Sequence, residues 1–207
     1  MDHSDKICAG DRERLIGRFA PAAAHAPVLP GDHALNPGTR PKEPLTPAAV
    51  MIPIIARPQG LTLLFTRRTE HLAVHAGQIS FPGGHVEPAD NNPEETALRE
   101  CEEEIGLDRK HVTVLGNPGG YVTRTGFHVT PVAGLIEPPF ELNIDPHEVA
   151  EAFEAPLDFF LDPANHRQCN REFEGTMRKF YAIPYGDRYI WGATAGILIN
   201  FYNFMVR

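Results

Sequence analysis

An α/β or α+β sandwich is the fold class the sequence predicts, on three observations. Apolar, partly β-branched runs of strand length recur between residues 48 and 153 and again at 180–191. One strongly marked helix stands among them, and a second apolar segment closes the sequence at 192–205. Hydrophobic residues fill 42% of the 207 positions, enough for a real core and too many for global disorder. Mixed strands with a few helices bury their apolar faces as stacked layers.

Taken in order, residues 1–47 read as a proline-rich arm. A short candidate helix at 12–19 is followed by Pro21, Pro27, Pro30, Pro37, Pro41, Pro44 and Pro47, each lacking a backbone donor and fixing φ. Such an arm can pack on the domain or exchange between subunits, which leaves a homodimer open. The domain itself is expected over 48–207. Segments 48–56 and 61–66 flank Arg57-Pro58-Gln59-Gly60 and read as two turn-linked strands. Residues 77–84 form a loop or short strand ending in Phe81-Pro82-Gly83-Gly84. The best helix signal follows: Asn92 as N-cap, Pro93 at the first position, Glu95 completing a capping-box-like pattern, and Gly106 as the stop. Further strands are expected at 112–115, 128–135 and 148–153. A hairpin of 180–183 and 189–191 turns around Tyr185-Gly186-Asp187, and a closing helix spans 192–205.

Charge and cysteine usage narrow the function classes. With 27 acids against 19 Lys and Arg, the formal charge of -8 disfavours non-specific nucleic-acid binding, which needs cations to neutralise phosphates. Phosphate substrates stay open, because a bound divalent ion inverts the local sign of charge. Cys8, Cys101 and Cys169 contain no CxxC pair, so neither a disulfide framework nor a structural zinc site is expected. Residues 1–10 are polar and charged, unlike a secretory signal, and no apolar run approaches the roughly 20 residues needed to span a bilayer. A cytoplasmic protein with no membrane partner is the expectation.

The chemistry concentrates in Arg99-Glu100-Cys101-Glu102-Glu103-Glu104-Ile105-Gly106-Leu107. At about 100° per residue, Glu100, Glu103 and Glu104 share one narrow helix face, while Leu98, Cys101 and Ile105 turn toward the core. Glu102 falls on another side. Like charges at these spacings repel by a few tenths of a kcal/mol per pair, a penalty that a hard cation reverses. Mg²⁺ takes oxygen ligands and commonly keeps waters while binding substrate phosphates. Gly83 and Gly84, with no Cβ in the way, let backbone groups approach a phosphate. Taken alone, three aligned glutamates are more often a solvated acidic face.

Phe81-Pro82-Gly83-Gly84 followed by the Arg99-to-Leu107 run resembles the Nudix box, G-x5-E-x7-R-E-U-x-E-E-x-G-U with U apolar. Here Asp90 stands for the first glutamate and one residue is inserted before Arg99; the second half matches at every fixed position. The longer first half is similar to the coenzyme A pyrophosphatase branch of that superfamily. So is the upstream run from Leu63-Leu64-Phe65-Thr66-Arg67-Arg68 through Gly77-Gln78-Ile79-Ser80-Phe81-Pro82-Gly83-Gly84, where Thr69 and Ala73 depart from the branch's usual residues. Downstream, Thr123-Arg124-Thr125-Gly126, His128-Val129-Thr130-Pro131-Val132 and Trp191-Gly192-Ala193-Thr194-Ala195 resemble bacterial members of the branch.

The resemblance implies a Nudix-type α/β/α sandwich with a mixed sheet, in which the box forms a loop-helix-loop. It maps metal ligands for Mg²⁺ or Mn²⁺ onto Glu100 and Glu104, with Glu103 a further ligand or the base. Arg99 is expected to orient the acids by ion pairing. Glu148, on a later loop, is the other candidate to accept a proton. The implied activity is hydrolysis of the diphosphate linkage of coenzyme A or a derivative, giving 3′,5′-adenosine bisphosphate and 4′-phosphopantetheine. Arg67, Arg68 and Arg124 are candidates for the extra phosphate, and His75 is a candidate to line the site. The alternatives are a Nudix pyrophosphatase for another small nucleotide derivative, such as a dinucleotide or ADP-sugar, and a nucleotide-sensing module without catalysis.

Overall fold

Strand-forming runs that are apolar at every position, not at alternate ones, belong in a sheet covered on both faces. The computed structural model of the chain, which describes residues 12–20, 31–71, 74–173 and 175–206, has that architecture. In chain order its elements are α1 (Arg12–Phe19), β1 (Thr46–Arg57), β2 (Gly60–Arg68), β3 (Ile79–Ser80), β4 (Gly83–His85) and α2 (Pro93–Ile105). There follow β5 (Val112–Gly116), β6 (Tyr121–Val122), β7 (Phe127–Ile136), β8 (Val149–Pro156) and α3 (Leu157–Leu161). The chain closes with β9 (Arg167–Phe173), β10 (Thr176–Tyr185), β11 (Arg188–Trp191) and α4 (Ala193–Val206).

The main sheet runs β3-β2-β1-β7-β5, with β4 added to β1, β6 to β7 and β8 to β2. It is mixed, since β1 lies parallel to β7 and antiparallel to β2 and β4. Its side chains alternate between two cores, as the period of a strand requires. Ile52, Ile54, Leu63 and Phe65 face a large cluster with α1, α3 and α4, in which Phe65 stacks on Phe81 and Phe153. Met51, Ile55 and Leu64 face the other way, onto Ala97, Cys101 and Ile105 of α2. The result is the expected three-layer α/β/α sandwich with a mixed sheet. Among the described residues, no helix is long and apolar enough to cross a membrane.

The first strand begins at Thr46, two residues before the expected domain boundary, and the segment before it packs on the sheet. The Asp32 carboxylate accepts from the Tyr121 hydroxyl at 2.6 Å and from the Arg124 backbone N–H at 2.8 Å. Gly31 lies so close to the Val122 backbone that a Cβ would meet its carbonyl oxygen at 1.9 Å. The polar stretch at 1–10 with Cys8, the prolines Pro21, Pro27 and Pro30, and Ala73 lie outside the described residues.

A second sheet, β11-β10-β9, extends the expected late hairpin by a strand. The charged run Arg167-Gln168-Cys169-Asn170-Arg171-Glu172-Phe173 carries no apolar alternation because nearly all of it is exposed. It is a strand by virtue of pairing with β10 along Phe173↔Thr176 to Arg167↔Ala182.

Candidate active site

The helix α2 is fixed at both ends by its own sequence. The Asn92 side chain accepts from the Glu95 N–H at 2.9 Å, supplying the N-cap, and Pro93 takes the first turn. At the far end Gly106 sits in the left-handed region at φ 65°, which only glycine adopts freely. Its N–H and that of Leu107 bond to Glu102 O at 3.1 Å and Cys101 O at 3.2 Å, closing the helix. With Cys101 and Ile105 fully buried beneath, Glu100 and Glu104 face the Gly83-Gly84 turn and Glu103 faces solvent.

These three acids are not equivalent. Glu104 is 3% exposed, and Glu100 is also largely buried, whereas Glu103 is 59% exposed. Burial, reinforced by the charge of Glu100, pushes the Glu104 carboxyl up to about 8 despite the Gly83 N–H at 3.5 Å and the Arg68 guanidinium at 4.0 Å. Burial also raises Glu100, against the opposing pull of Arg99. The close approach is possible because of the glycine pair: a Cβ on Gly84 would stand 2.3 Å from Glu100 Oε1, and one on Gly83 would stand 2.5 Å from Ala49 O.

Arg99 ties this face together. It reaches Glu100 Oε1 at 3.0 Å, Glu103 Oε2 at 2.8 Å and the His85 carbonyl at 3.0 Å. It also grips Asp90 at two points, 3.2 and 3.1 Å. Asp90 accepts further bonds from the Glu87 N–H at 2.9 Å and the Thr96 hydroxyl at 2.8 Å. Arg99, with these other donors, holds the Asp90 carboxyl well below the usual range, and Asp90 in turn raises Arg99. Asp90 is therefore a positioning residue, and the inserted residue is absorbed in the loop it braces. Glu102 turns away, as expected, to pair with Arg109 at 2.6 Å.

Glu148 reaches the site through backbone chemistry. A helix leaves its last carbonyls without intrahelical partners. Here Glu104 O and Ile105 O accept from the Asp145 and Asn143 N–H groups at 2.9 and 2.8 Å, which pins the 137–148 loop to the end of α2. The exposed Glu148 then lies close enough for its charge to raise both Glu100 and Glu104. Among the described residues, no hydrogen bond or ion pair holds its carboxylate.

A cavity of about 510 Å³ opens beside Glu104. Arg68, His75, Gly83 and Arg124 line it, so four of the expected substrate contacts come together. Gly84 lies at the Glu100 end of the turn and serves mainly to admit that carboxylate. Arg67 does not join them. Successive strand residues point to opposite faces, and Arg67 pairs with Glu151 at 3.3 Å in a neighbouring depression. His75 takes the left-handed backbone conformation at φ 58°, and its Nδ1 meets Gln78 Oε1 at 2.7 Å. The cavity also contains groups the sequence did not single out, above all Arg171, Phe173 and Arg178 of the β9-β10 hairpin.

A model of the NUDIX domain matches residues 45–174, which cover the whole carboxylate face, the Gly83-Gly84 turn and Glu148. The chain belongs to the Nudix family. It is 42% identical over 151 residues to the uncharacterized Nudix hydrolase NudL of Yersinia pestis (strain Pestoides F), covering 73% of this chain and 75% of that protein. The Yersinia pseudotuberculosis NudL (serotype O:1b, strain IP 31758) matches to the same extent. The crystal structure of a MutT/nudix family protein from Enterococcus faecalis shares the fold with a TM-score of 0.50 and 17% identity, over 80% of this chain and 64% of that one.

As a Nudix hydrolase the protein acts on pyrophosphate bonds in small nucleotide derivatives, an activity that generally uses divalent metal ions. Its residues fit such an ion. Glu100 and Glu104 are buried, mutually repelling carboxylates whose charged forms are disfavoured until a cation joins them. Among the described residues no three acidic, His or Cys side chains close on one point as a complete cage. Mg²⁺ uses few carboxylates and fills its octahedron with water and phosphate oxygens.

Proposed function

We propose that this Nudix hydrolase cleaves the diphosphate linkage of coenzyme A or a derivative, releasing 3′,5′-adenosine bisphosphate and 4′-phosphopantetheine or its acylated form. The observation that carries the reading is the lining of the cavity beside Glu104. Arg68, Gln78, Ile79, Ser80 and Phe81, all from the upstream run that resembles the coenzyme A branch, form that wall.

In this reading Glu100 and Glu104 hold Mg²⁺ or Mn²⁺, with Glu103 at the exposed edge as a further ligand. A bound ion of this kind neutralises diphosphate charge and makes water more acidic. Glu148 is the better candidate to accept the proton, since Glu103 is committed to Arg99 and Glu148 has no such partner among the described residues. Arg68 and Arg124 contact phosphate oxygens, and the Gly83 N–H supplies a neutral donor near Glu104. His75 borders the substrate through its bond to Gln78. Arg67 can reach substrate only by exchanging its pairing with Glu151.

Product analysis tests this reading. Coenzyme A incubated with the protein and Mg²⁺ is expected to release 3′,5′-adenosine bisphosphate. Cleavage of ADP-ribose or NADH in preference to coenzyme A would assign the same chemistry to a different nucleotide substrate.

A further inference from the structure

We infer that the β9-β10 hairpin carries a second phosphate subsite, built from Arg171 and Arg178 with Arg124, which takes a phosphomonoester on the same ligand whose diphosphate lies at Glu100 and Glu104. Resting on the coenzyme A reading, that group is the 3′-phosphate of the adenosine half.

The register of the hairpin supplies the first reason. Arg171 and Arg178 are direct cross-strand partners, so two like charges share one face of the ribbon. That arrangement destabilises a sheet by itself and is relieved by an anion between the charges. Arg124 brings a third cation: its guanidinium and that of Arg178 each lie 4.8 Å from the Phe173 ring centroid. Phe173 thus anchors two arginines while leaving their donors directed elsewhere, since an aromatic face accepts charge but satisfies few N–H groups.

Missing partners supply the second. Among the described residues no carboxylate pairs with Arg124, Arg171 or Arg178. The Nε atoms of Arg178 and Arg68 are buried without a hydrogen-bond partner. Buried polar groups in a native protein are nearly always bonded, so unmatched guanidinium donors in one cavity point to an anionic ligand. Asp32, the acid in the lining, has both oxygens occupied by Tyr121 and the Arg124 N–H. Lys179, one position beyond Arg178, has its main chain bonded both ways to the Asn36 side chain and is not included.

The geometry of the cavity supplies the third. It is continuous from Gly83 and Arg68, which touch Glu104, to Arg171 and Arg178, and Phe127, Phe180 and Trp191 add an aromatic wall suited to a base. A nucleoside with phosphates at two positions of its ribose, its base against the aromatic side chains, matches this set of groups.

The test is calorimetric binding of adenosine 3′,5′-bisphosphate and of AMP to the full chain with Mg²⁺, in wild type and in Arg171→Ala and Arg178→Ala. The wild type is expected to prefer the bisphosphate about 10- to 100-fold, and each variant to lose most of that preference while keeping its affinity for AMP. Arg171 is exposed, so its truncation leaves the packing of the hairpin unchanged and covers the case that Arg178→Ala misfolds. Equal wild-type affinity for the two nucleotides, or a preference retained in Arg171→Ala, would overturn the subsite. This readout needs no turnover. A lost preference without coenzyme A cleavage rejects the substrate reading alone, and cleavage with an unchanged preference rejects the subsite alone.

Discussion

The Glu100 carboxylate occupies the space that a side chain on Gly84 would need: a Cβ there would lie 2.3 Å from Oε1. The glycine is therefore as much a part of the carboxylate face as the acid it admits. We predict that Gly84→Ala displaces Glu100, weakens Mn²⁺ binding and lowers kcat by about 10- to 100-fold, with the fold retained. Calorimetric Mn²⁺ titration checks this, and an unchanged affinity would mean that the carboxylate yields at no cost.

Asp90 acts on the same face from a distance. Its two-point grip on Arg99 aims that guanidinium at Glu100 and Glu103. Asp90→Ala should leave the Arg99 side chain without its principal anchor and reduce kcat by about 10- to 100-fold, with a smaller change in KM. Asp90→Glu, the usual residue type of the box, is expected to recover only part of the loss because the inserted residue has already set the loop length. Full activity in Asp90→Ala would show that Glu100 and Glu103 alone hold Arg99.

These residues also show what sequence reading can and cannot reach. The caps of α2, its buried Cys101 and Ile105 and the shared side of its three acids follow from local spacing, and the structure has them where the pattern puts them; the burial of Glu104 does not follow from it. Asp90 is ambiguous in sequence, since an insertion makes its position unreadable until the loop is folded. Glu148 joins the site through hydrogen bonds from a loop to the end of a helix some 40 residues earlier, and no periodicity records that. The β9 strand has no apolar signal because its faces are exposed, so Arg171, like Arg178 opposite it on β10, looks like solvated charge. Arg67 and Arg68 are adjacent in sequence and equally basic. Only the strand's alternation, with the register shift against β8 at that point, separates their surroundings.

Burial of Glu104 has a consequence for stability. Its carboxyl is pushed up to about 8 from an ordinary 4.5, so in the absence of metal the folded state keeps a proton that the unfolded chain releases. Stability from this group is fully present at low pH, declines as pH rises above the ordinary value, and levels off above the folded one. Glu104→Gln removes the dependence. In EDTA its stability should match wild type near pH 4.5 and exceed it above pH 8, by at most about 5 kcal/mol. Urea denaturation at several pH values checks this; a wild-type advantage that grows with pH would reverse the sign.

In the proposed function, proton acceptance falls to Glu148 and metal binding to Glu103. Glu148→Gln should lower kcat by about 100-fold or more with KM and Mn²⁺ affinity little changed. Glu103→Gln should weaken Mn²⁺ binding and recover most of its turnover at saturating metal. Steady-state kinetics across metal concentration would distinguish them, and the opposite pattern would exchange the two roles.

The most direct test is the release of 3′,5′-adenosine bisphosphate from coenzyme A in the presence of Mg²⁺ or Mn²⁺, followed by chromatography, with Glu104→Gln as the control. Metal-dependent release that disappears in the control is the predicted result. Intact coenzyme A under conditions where ADP-ribose or NADH is cleaved would contradict it.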